Sequence, residues 1–160
     1  MSEAQLNKVE TVNLGENLKL RYTANHTKLS LAADLRWRRT WGHHASSPSI
    51  SSLDSRLTFT ASQTLQRSGT SFALDATLYD RRGYSTSAMN RTEWLVNGSI
   101  TQPIPHTSFQ LRLEAHDLFN QISSTQYEVN AQGRTESWHR VAPNYVMLHL
   151  LWQFNRKPRQ

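Results

Sequence analysis

Apolar and polar side chains alternate along the segment Phe109–His116, which reads FQLRLEAH. Every second residue, from Phe109 to Ala115, would point to one side of an extended chain, and the residues between them would point to the other. In a helix the same residues would be mixed around the circumference, because the helical repeat is about 3.6 residues. The alternation therefore predicts a β-strand with one apolar face and one polar face.

The same two-residue period recurs in six further segments. They lie around residues 14–23, 28–38, 56–65, 72–79, 94–101 and 146–154, and the period is weakest in 94–101. Together these segments predict seven strands of roughly ten or more residues. Strands of soluble proteins average about five to six residues, whereas strands that cross a membrane need about nine to eleven. The predicted strand length therefore favours a membrane protein.

The connections between the predicted strands alternate between short and long. The short ones are 25–27, 67–69 and 103–106, and the long ones are 42–53, 83–91 and 119–142. In an up-and-down meander, this alternation puts all short turns at one end and all long loops at the other. Outer-membrane β-barrels have this asymmetry, with short turns on the periplasmic side. We therefore expect an all-β fold, an antiparallel up-and-down meander of seven to eight long strands that is part of an outer-membrane β-barrel or a small version of one.

The two faces of these strands predict two different environments. The apolar face is expected to contact lipid through Leu57, Phe59, Phe72, Leu74, Leu111, Leu113, Leu148 and Leu150. The other face is expected to line a polar lumen, and its candidate residues are Arg36, Asp75, Arg112, Glu114 and His116. A dry core would not accept these charges unpaired, but a water-filled lumen does. Their expected role is ion pairing within the lumen.

Composition narrows the class of protein. Only 37% of the 160 residues are apolar and the mean hydropathy is −0.64, which suits a wall in which only alternate residues must be apolar. The chain has no cysteine, so disulfides, thiolate metal sites and a cysteine nucleophile are excluded. No run of about 18 apolar residues exists in the sequence, so helical membrane spans are excluded as well.

Charge and the two termini set the expected domain limits. The formal net charge is +6, but most of the basic residues are scattered along the chain, so nucleic acid is not expected as a partner. The exception is a basic run at 155–160, which is expected to be a solvated tail. Residues 1–9 are expected to form an N-terminal tail, and 10–154 to hold the strands of one β-barrel segment. An exported protein should carry an apolar signal region, whereas residues 1–7 are polar. We therefore expect the chain to be a fragment of a longer protein.

Two C-terminal motifs resemble those of a known family. Residues 111–121, LRLEAHDLFNQ, resemble the penultimate strand of TonB-dependent receptors, and residues 144–154, NYVMLHLLWQF, resemble their closing strand. The similarity is greatest to the outer-membrane β-barrel family of Bacteroidetes-type bacteria. The resemblance implies a location in the cell outer membrane and a barrel of about 22 strands. It also implies a plug and a TonB box, and uptake of scarce nutrients such as iron chelates, cobalamin or glycans.

The chain departs from this family because it holds no plug and no TonB box, and because Asp117 stands where the family usually has Asn. We therefore expect a C-terminal barrel-wall segment of a TonB-dependent receptor-like transporter, without complete transport activity of its own. The resemblance implies that Leu150, Trp152 and Phe154 form the signal read by the barrel-assembly machinery. The other expected partners are outer-membrane lipid and the remaining barrel and plug of the parent protein.

No pattern in the sequence indicates catalysis. A nucleophile elbow, a nucleotide-binding glycine motif and a spaced set of metal ligands are all missing, so neither an enzyme nor a cofactor is expected. The histidine pair at 43–44 is expected to be solvated.

Two other hypotheses remain open. The chain could be a complete small barrel of eight strands, because residues 124–138 contain a possible hairpin around 131–133. It could also be a soluble ligand-binding β-barrel whose apolar face points inward.

Overall fold

The computed structural model describes residues 9–42, 49–121, 125–130, 133–138 and 144–154. These residues form an all-β fold of nine strands, and their one helical element is a 3-10 turn at Ser87–Met89. The strands are β1 (Val9–Ala24), β2 (Thr27–Gly42), β3 (Ile50–Thr64), β4 (Ser71–Arg82), β5 (Thr92–Pro103), β6 (Phe109–His116), β7 (Thr125–Asn130), β8 (Gly133–Trp138) and β9 (Tyr145–Trp152). No helix in the described ranges is long and apolar enough to span a membrane.

Seven strands form one sheet in the order β1-β2-β3-β4-β5-β6-β9, and all neighbours are antiparallel. The predicted all-β antiparallel meander is therefore confirmed. The sheet is open, because β1 and β9 each have a neighbouring strand on one side only among the described residues.

The predicted alternation of short and long connections is present. Residues 25–26, 65–70 and 104–108 connect strands at one end of the sheet, which we call the turn end. The other end, the loop end, holds residues 83–91, the ends of β2 and β6 and the starts of β3 and β9. Asn25 and His106 adopt positive φ angles of 47° and 60° in the short turns. Asn and His are among the residue types that tolerate this left-handed region, so the local sequence suits tight turns.

The register separates the two kinds of side chain onto opposite sides. Leu20, Leu31 and Phe59 are direct neighbours across β1, β2 and β3. One position nearer the turn end on each strand, Arg21, Ser30 and Thr60 are neighbours on the other side. Because paired residues share a face, an apolar surface and a polar surface run across the whole sheet.

The described residues contain almost no hydrophobic core. Met89, in the 83–91 loop, is their only buried apolar side chain, at 2% exposure. The large apolar side chains of the strands lie exposed on the apolar surface instead. A soluble sheet protein would bury one face against a second layer, whereas the part of the chain that the structure describes leaves the apolar surface exposed.

Two strands have fewer than the roughly ten residues expected, although β6 has the same bounds as the alternating segment Phe109–His116. β6 and β9 each have eight residues. β6 ends at His116 because Asp117 adopts a φ of 47°, which turns the chain out of the extended conformation. The possible hairpin in 124–138 does form, as β7 paired with β8, with Val129 opposite Arg134. It makes a separate two-stranded sheet, so it adds no eighth strand to the main sheet.

Candidate functional surfaces of the sheet

The apolar surface carries all eight residues that were predicted to contact lipid. Leu57 and Phe59 lie on β3, Phe72 and Leu74 on β4, Leu111 and Leu113 on β6, and Leu148 and Leu150 on β9. The cross-strand register puts them on one side, with Leu113 next to Ile100 and Leu148. All eight are exposed, and those on the edge strand β9 are exposed the most, at 66% for Leu148 and 65% for Leu150.

Polar side chains interrupt the apolar surface toward the loop end. Glu16, Ser55 and Asp80 lie with Leu35 in one row across β1 to β4 on the apolar side, and Leu14 and Leu53 are exposed beyond that row. On β3, the next polar residue on that side is Gln63, at the turn end. The distance along the strand from Ser55 to Gln63 is about 27 Å, or about 20 Å in height for the usual tilt of barrel strands. This stretch is somewhat shorter than the apolar band of outer-membrane barrels, which is about 25 Å tall.

An aromatic cluster lies at the turn end of the apolar surface. The rings of Phe109 and Trp152 stack with centroids 6.1 Å apart, and Phe154 meets Trp152 edge-on at 5.4 Å. Phe154 is 72% exposed. Trp152 and Leu150 lie on the same side of β9 and Phe154 follows its end, so the three candidate assembly-signal residues form one accessible apolar patch.

The polar surface borders an open concavity. Side chains from six strands, β1 to β6, line this space of about 840 Å³, and Asp75, Arg112, Glu114 and His116 are among them. The fifth candidate lumen residue, Arg36, lines a neighbouring cavity of about 390 Å³ near the loop end. On the apolar side, residues of β2 to β6 line a smaller concavity of about 420 Å³.

Several charges near the loop end of the polar surface have partners. The Tyr84 hydroxyl donates to the Asp54 carboxylate, 2.8 Å from Oδ1 and 2.9 Å from Oδ2, and Arg81 Nε lies 3.6 Å from Oδ1. Asn17 Nδ2 donates to Asp34 Oδ1 at 2.6 Å. Each of these two carboxylates therefore has a hydrogen-bond donor beside it.

Tyr84, in the 83–91 loop, has a raised pKa because it is half-buried and because Asp54 lies beside its hydroxyl. A raised pKa means that this hydroxyl stabilises the fold below its ordinary pKa near 10 and loses that contribution as pH rises through the folded-state value. We expect Tyr84→Phe to lower the free energy of unfolding by about 1 kcal/mol at neutral pH, through the lost hydrogen bond to a carboxylate.

Absorbance titration of the tyrosines provides the measurement for Tyr84. The variant should lose the component that ionises at the highest pH, whereas Tyr22→Phe, on the apolar side of β1, should keep it. If Tyr84→Phe instead loses a component that ionises near the ordinary pKa of 10, the contact of the Tyr84 hydroxyl with Asp54 is contradicted.

Glu114 is the centre of a second charged cluster. Its carboxylate lies 2.9 Å from Arg112 Nε, 3.1 Å from His149 Nε2 and 3.7 Å from His116 Nε2. His116 also stacks on Tyr145 with ring centroids 4.6 Å apart. His149 was not predicted as a member, because only the pairing of β6 with β9 brings it opposite Arg112. The described residues hold no group of three or more potential ligands suited to a metal ion.

The polar surface near the β1 edge carries cations without counter-charges. Lys19, Arg21 and Lys28 line the large concavity. Arg21 pairs with Ser30, and Lys28 pairs with Thr23, two residues from Arg21, so the three side chains are close neighbours. Within the described ranges their side chains make no ion pair or hydrogen bond. We call these three residues the edge cations.

The family-like motif at 117–121 forms a turn that attaches to β5. The Asp117 backbone N–H donates to Asn97 Oδ1 at 3.0 Å, and the Leu118 N–H donates to the Val96 carbonyl at 2.9 Å. The Gln121 N–H donates to Asp117 Oδ1 at 3.1 Å, and Gln121 Oε1 accepts from the Trp94 N–H at 2.9 Å. The last pair between β5 and β6 is Gly98 with Ala115. Beyond it, the turn provides the hydrogen-bond partners of β5.

Three expected features lie outside the described residues, namely most of the N-terminal tail, the histidine pair at 43–44 and the basic tail at 155–160. The strands begin at Val9, one residue before the predicted limit. Comparisons of this chain with protein-family models, with curated proteins and with solved structures found no match.

Proposed function

We propose that this chain is a C-terminal barrel-wall segment of an outer-membrane transporter resembling the TonB-dependent receptors. The observation that carries the proposal is the extended apolar surface of a seven-stranded sheet that has almost no buried core. Soluble monomers rarely expose an apolar patch larger than a few hundred Å². A lipid bilayer would cover this surface with hydrocarbon, so its apolar side chains would no longer be in contact with water.

The opposite side supports the same proposal. Arg112, Glu114 and Asp75 lie within strands on a concave polar surface, where water would solvate them. The concavity on the polar side is larger than the one on the apolar side, about 840 Å³ against about 420 Å³, which favours a polar lumen over an apolar ligand cavity.

The choice of a TonB-dependent receptor-like barrel rests on the motifs in 111–154. The turn at 117–121 and the β7–β8 hairpin fit a penultimate strand followed by a last excursion at the loop end. The complete small barrel of eight strands receives less support, because the hairpin pairs with itself rather than with the main sheet.

In this proposal the chain performs no chemistry. Its apolar surface contacts outer-membrane lipid, and its polar surface faces the nutrient path and the plug. The barrel-assembly machinery binds the accessible patch of Leu150, Trp152 and Phe154. Transport itself requires the remaining barrel and plug.

Liposome flotation tests the membrane assignment. We expect the chain, refolded from denaturant with phospholipid vesicles, to float with the vesicles and to resist protease. Phe72→Asp, on the apolar surface of β4, should reduce the floated fraction several-fold, because a charge would enter the hydrocarbon. Ala73→Asp, its neighbour on the polar surface, is the matched control. A folded, stable monomer in detergent-free buffer would contradict the proposal.

A further inference from the structure

The number of strands in the main sheet is odd, and this determines the direction of both edges. β1 runs from the loop end, where Val9 pairs with Gly42, to the turn end, where Ala24 pairs with Thr27. β9 runs the same way, from Tyr145 opposite His116 to Trp152 opposite Phe109. The two exposed edges therefore point in the same direction.

Equal edge directions restrict how the sheet can be completed. If β1 met β9 of the same chain, or β9 of a second copy in the same membrane orientation, the new pair would be parallel. Every pair in this sheet is antiparallel, and parallel strands are rarely joined in meanders. An antiparallel neighbour of β1 must run from the turn end to the loop end, so an odd number of further strands is needed to close the wall.

The side chains of β1 define the chemistry of that neighbour. On the apolar side, Leu18, Leu20 and Tyr22 are each about 60% exposed, more than the corresponding residues of the inner strands. On the polar side, Lys19 and Arg21 make no ion pair with any residue that the structure describes, and Lys28 on β2 adds a third cation. Opposite charges on directly facing strand residues are stabilising, and like charges are destabilising.

We propose that the β1 edge pairs with an antiparallel strand from a further part of the barrel wall, which carries acidic side chains opposite Lys19 and Arg21. Apolar residues of that strand would continue the surface formed by Leu18, Leu20 and Tyr22. The partner is not a second copy of this chain, because a copy in the same orientation offers an edge of the wrong direction. This inference rests on the proposed function for the identity of the partner, but the edge direction and the charges are independent of it.

Two synthetic peptides test the pairing on the full chain in detergent micelles. Both peptides have twelve residues and the same apolar residues at every second position. At the positions that would face the edge cations, one peptide has Glu and the other has Lys. Each carries a nitroxide at its N-terminus, and the chain carries a second nitroxide at Ala24→Cys, which is a unique site because the chain has no cysteine. An antiparallel peptide of this length places its N-terminus beside Ala24, and a parallel one places it about 40 Å away.

The expected result is a short distance between the two nitroxides and about tenfold tighter binding of the Glu peptide than of the Lys peptide. Lys19→Gln with Arg21→Gln should abolish this preference, whereas Arg56→Gln, on β3, should keep it.

Three results would overturn the inference: the long distance, equal binding of both peptides, or no binding of either. A disulfide between copies that carry Lys19→Cys and His149→Cys would also overturn it, because it joins a β1 edge to a β9 edge. Flotation is measured without peptides, so failure of this pairing is distinguishable from failure of the membrane assignment.

Discussion

Leu113→Arg is expected to destabilise the chain in a lipid bilayer by about 2–4 kcal/mol, the cost of an arginine near the bilayer midplane on a lipid-facing strand. Leu113 lies on the apolar surface of β6 between Ile100 and Leu148, and it is exposed. The guanidinium would therefore enter hydrocarbon without a nearby carboxylate on that surface. Urea unfolding of the refolded chain in vesicles measures the free energy directly.

Gln110→Arg is the matched control for this prediction. It adds the same charge to the same strand, but on the polar surface, where Gln110 pairs with Pro103 and Leu151. We expect a change within about 0.5 kcal/mol, as for most surface substitutions. If Leu113→Arg is neutral and Arg112→Leu is strongly destabilising instead, the two surfaces are assigned the wrong way round.

Asp117→Leu is expected to lower the free energy of unfolding by about 2–5 kcal/mol. Asp117 is only 3% exposed, and its Oδ1 accepts the Gln121 N–H. A leucine would lose this acceptor, at a cost of about 1–3 kcal/mol, and it would have to adopt the φ of 47° that costs a residue with a large side chain about 1–2 kcal/mol. The turn that completes β5 would therefore open.

Asp117→Asn separates these effects from a simple loss of charge. Asparagine keeps the side-chain oxygen and tolerates the left-handed region, so we expect stability to stay within about 0.5 kcal/mol of the parent chain. Hydrogen exchange of the Trp94 and Leu118 amides in detergent gives a local readout, since both are hydrogen-bonded through this turn. Equal protection in Asp117→Leu and the parent chain would contradict the role assigned to Asp117.

The strands were largely predictable because their signal is local. A period of two residues identifies an extended chain from its own sequence, and it assigned Leu57, Leu74 and Leu111 to one surface without knowledge of the pairing. Connection length is equally local, so the turn end and the loop end followed from the same pattern.

What could not be predicted depends on pairing between distant residues. The contact of His149 with Glu114 exists only because β9 pairs with β6 in one register, after an excursion of 28 residues that includes a hairpin. The bond from Tyr84 to Asp54 joins a loop to a strand 30 residues away.

The central claim is that the apolar surface faces lipid and the polar surface faces water. Nitroxides at single cysteines, placed in turn at residues 110–114 of β6 in vesicles, test it through their collisions with oxygen and with a water-soluble nickel complex. The account predicts that labels at Leu111 and Leu113 collide mainly with oxygen, and that labels at Gln110, Arg112 and Glu114 collide mainly with nickel. Uniform nickel accessibility along the strand, or the opposite phase, would contradict it.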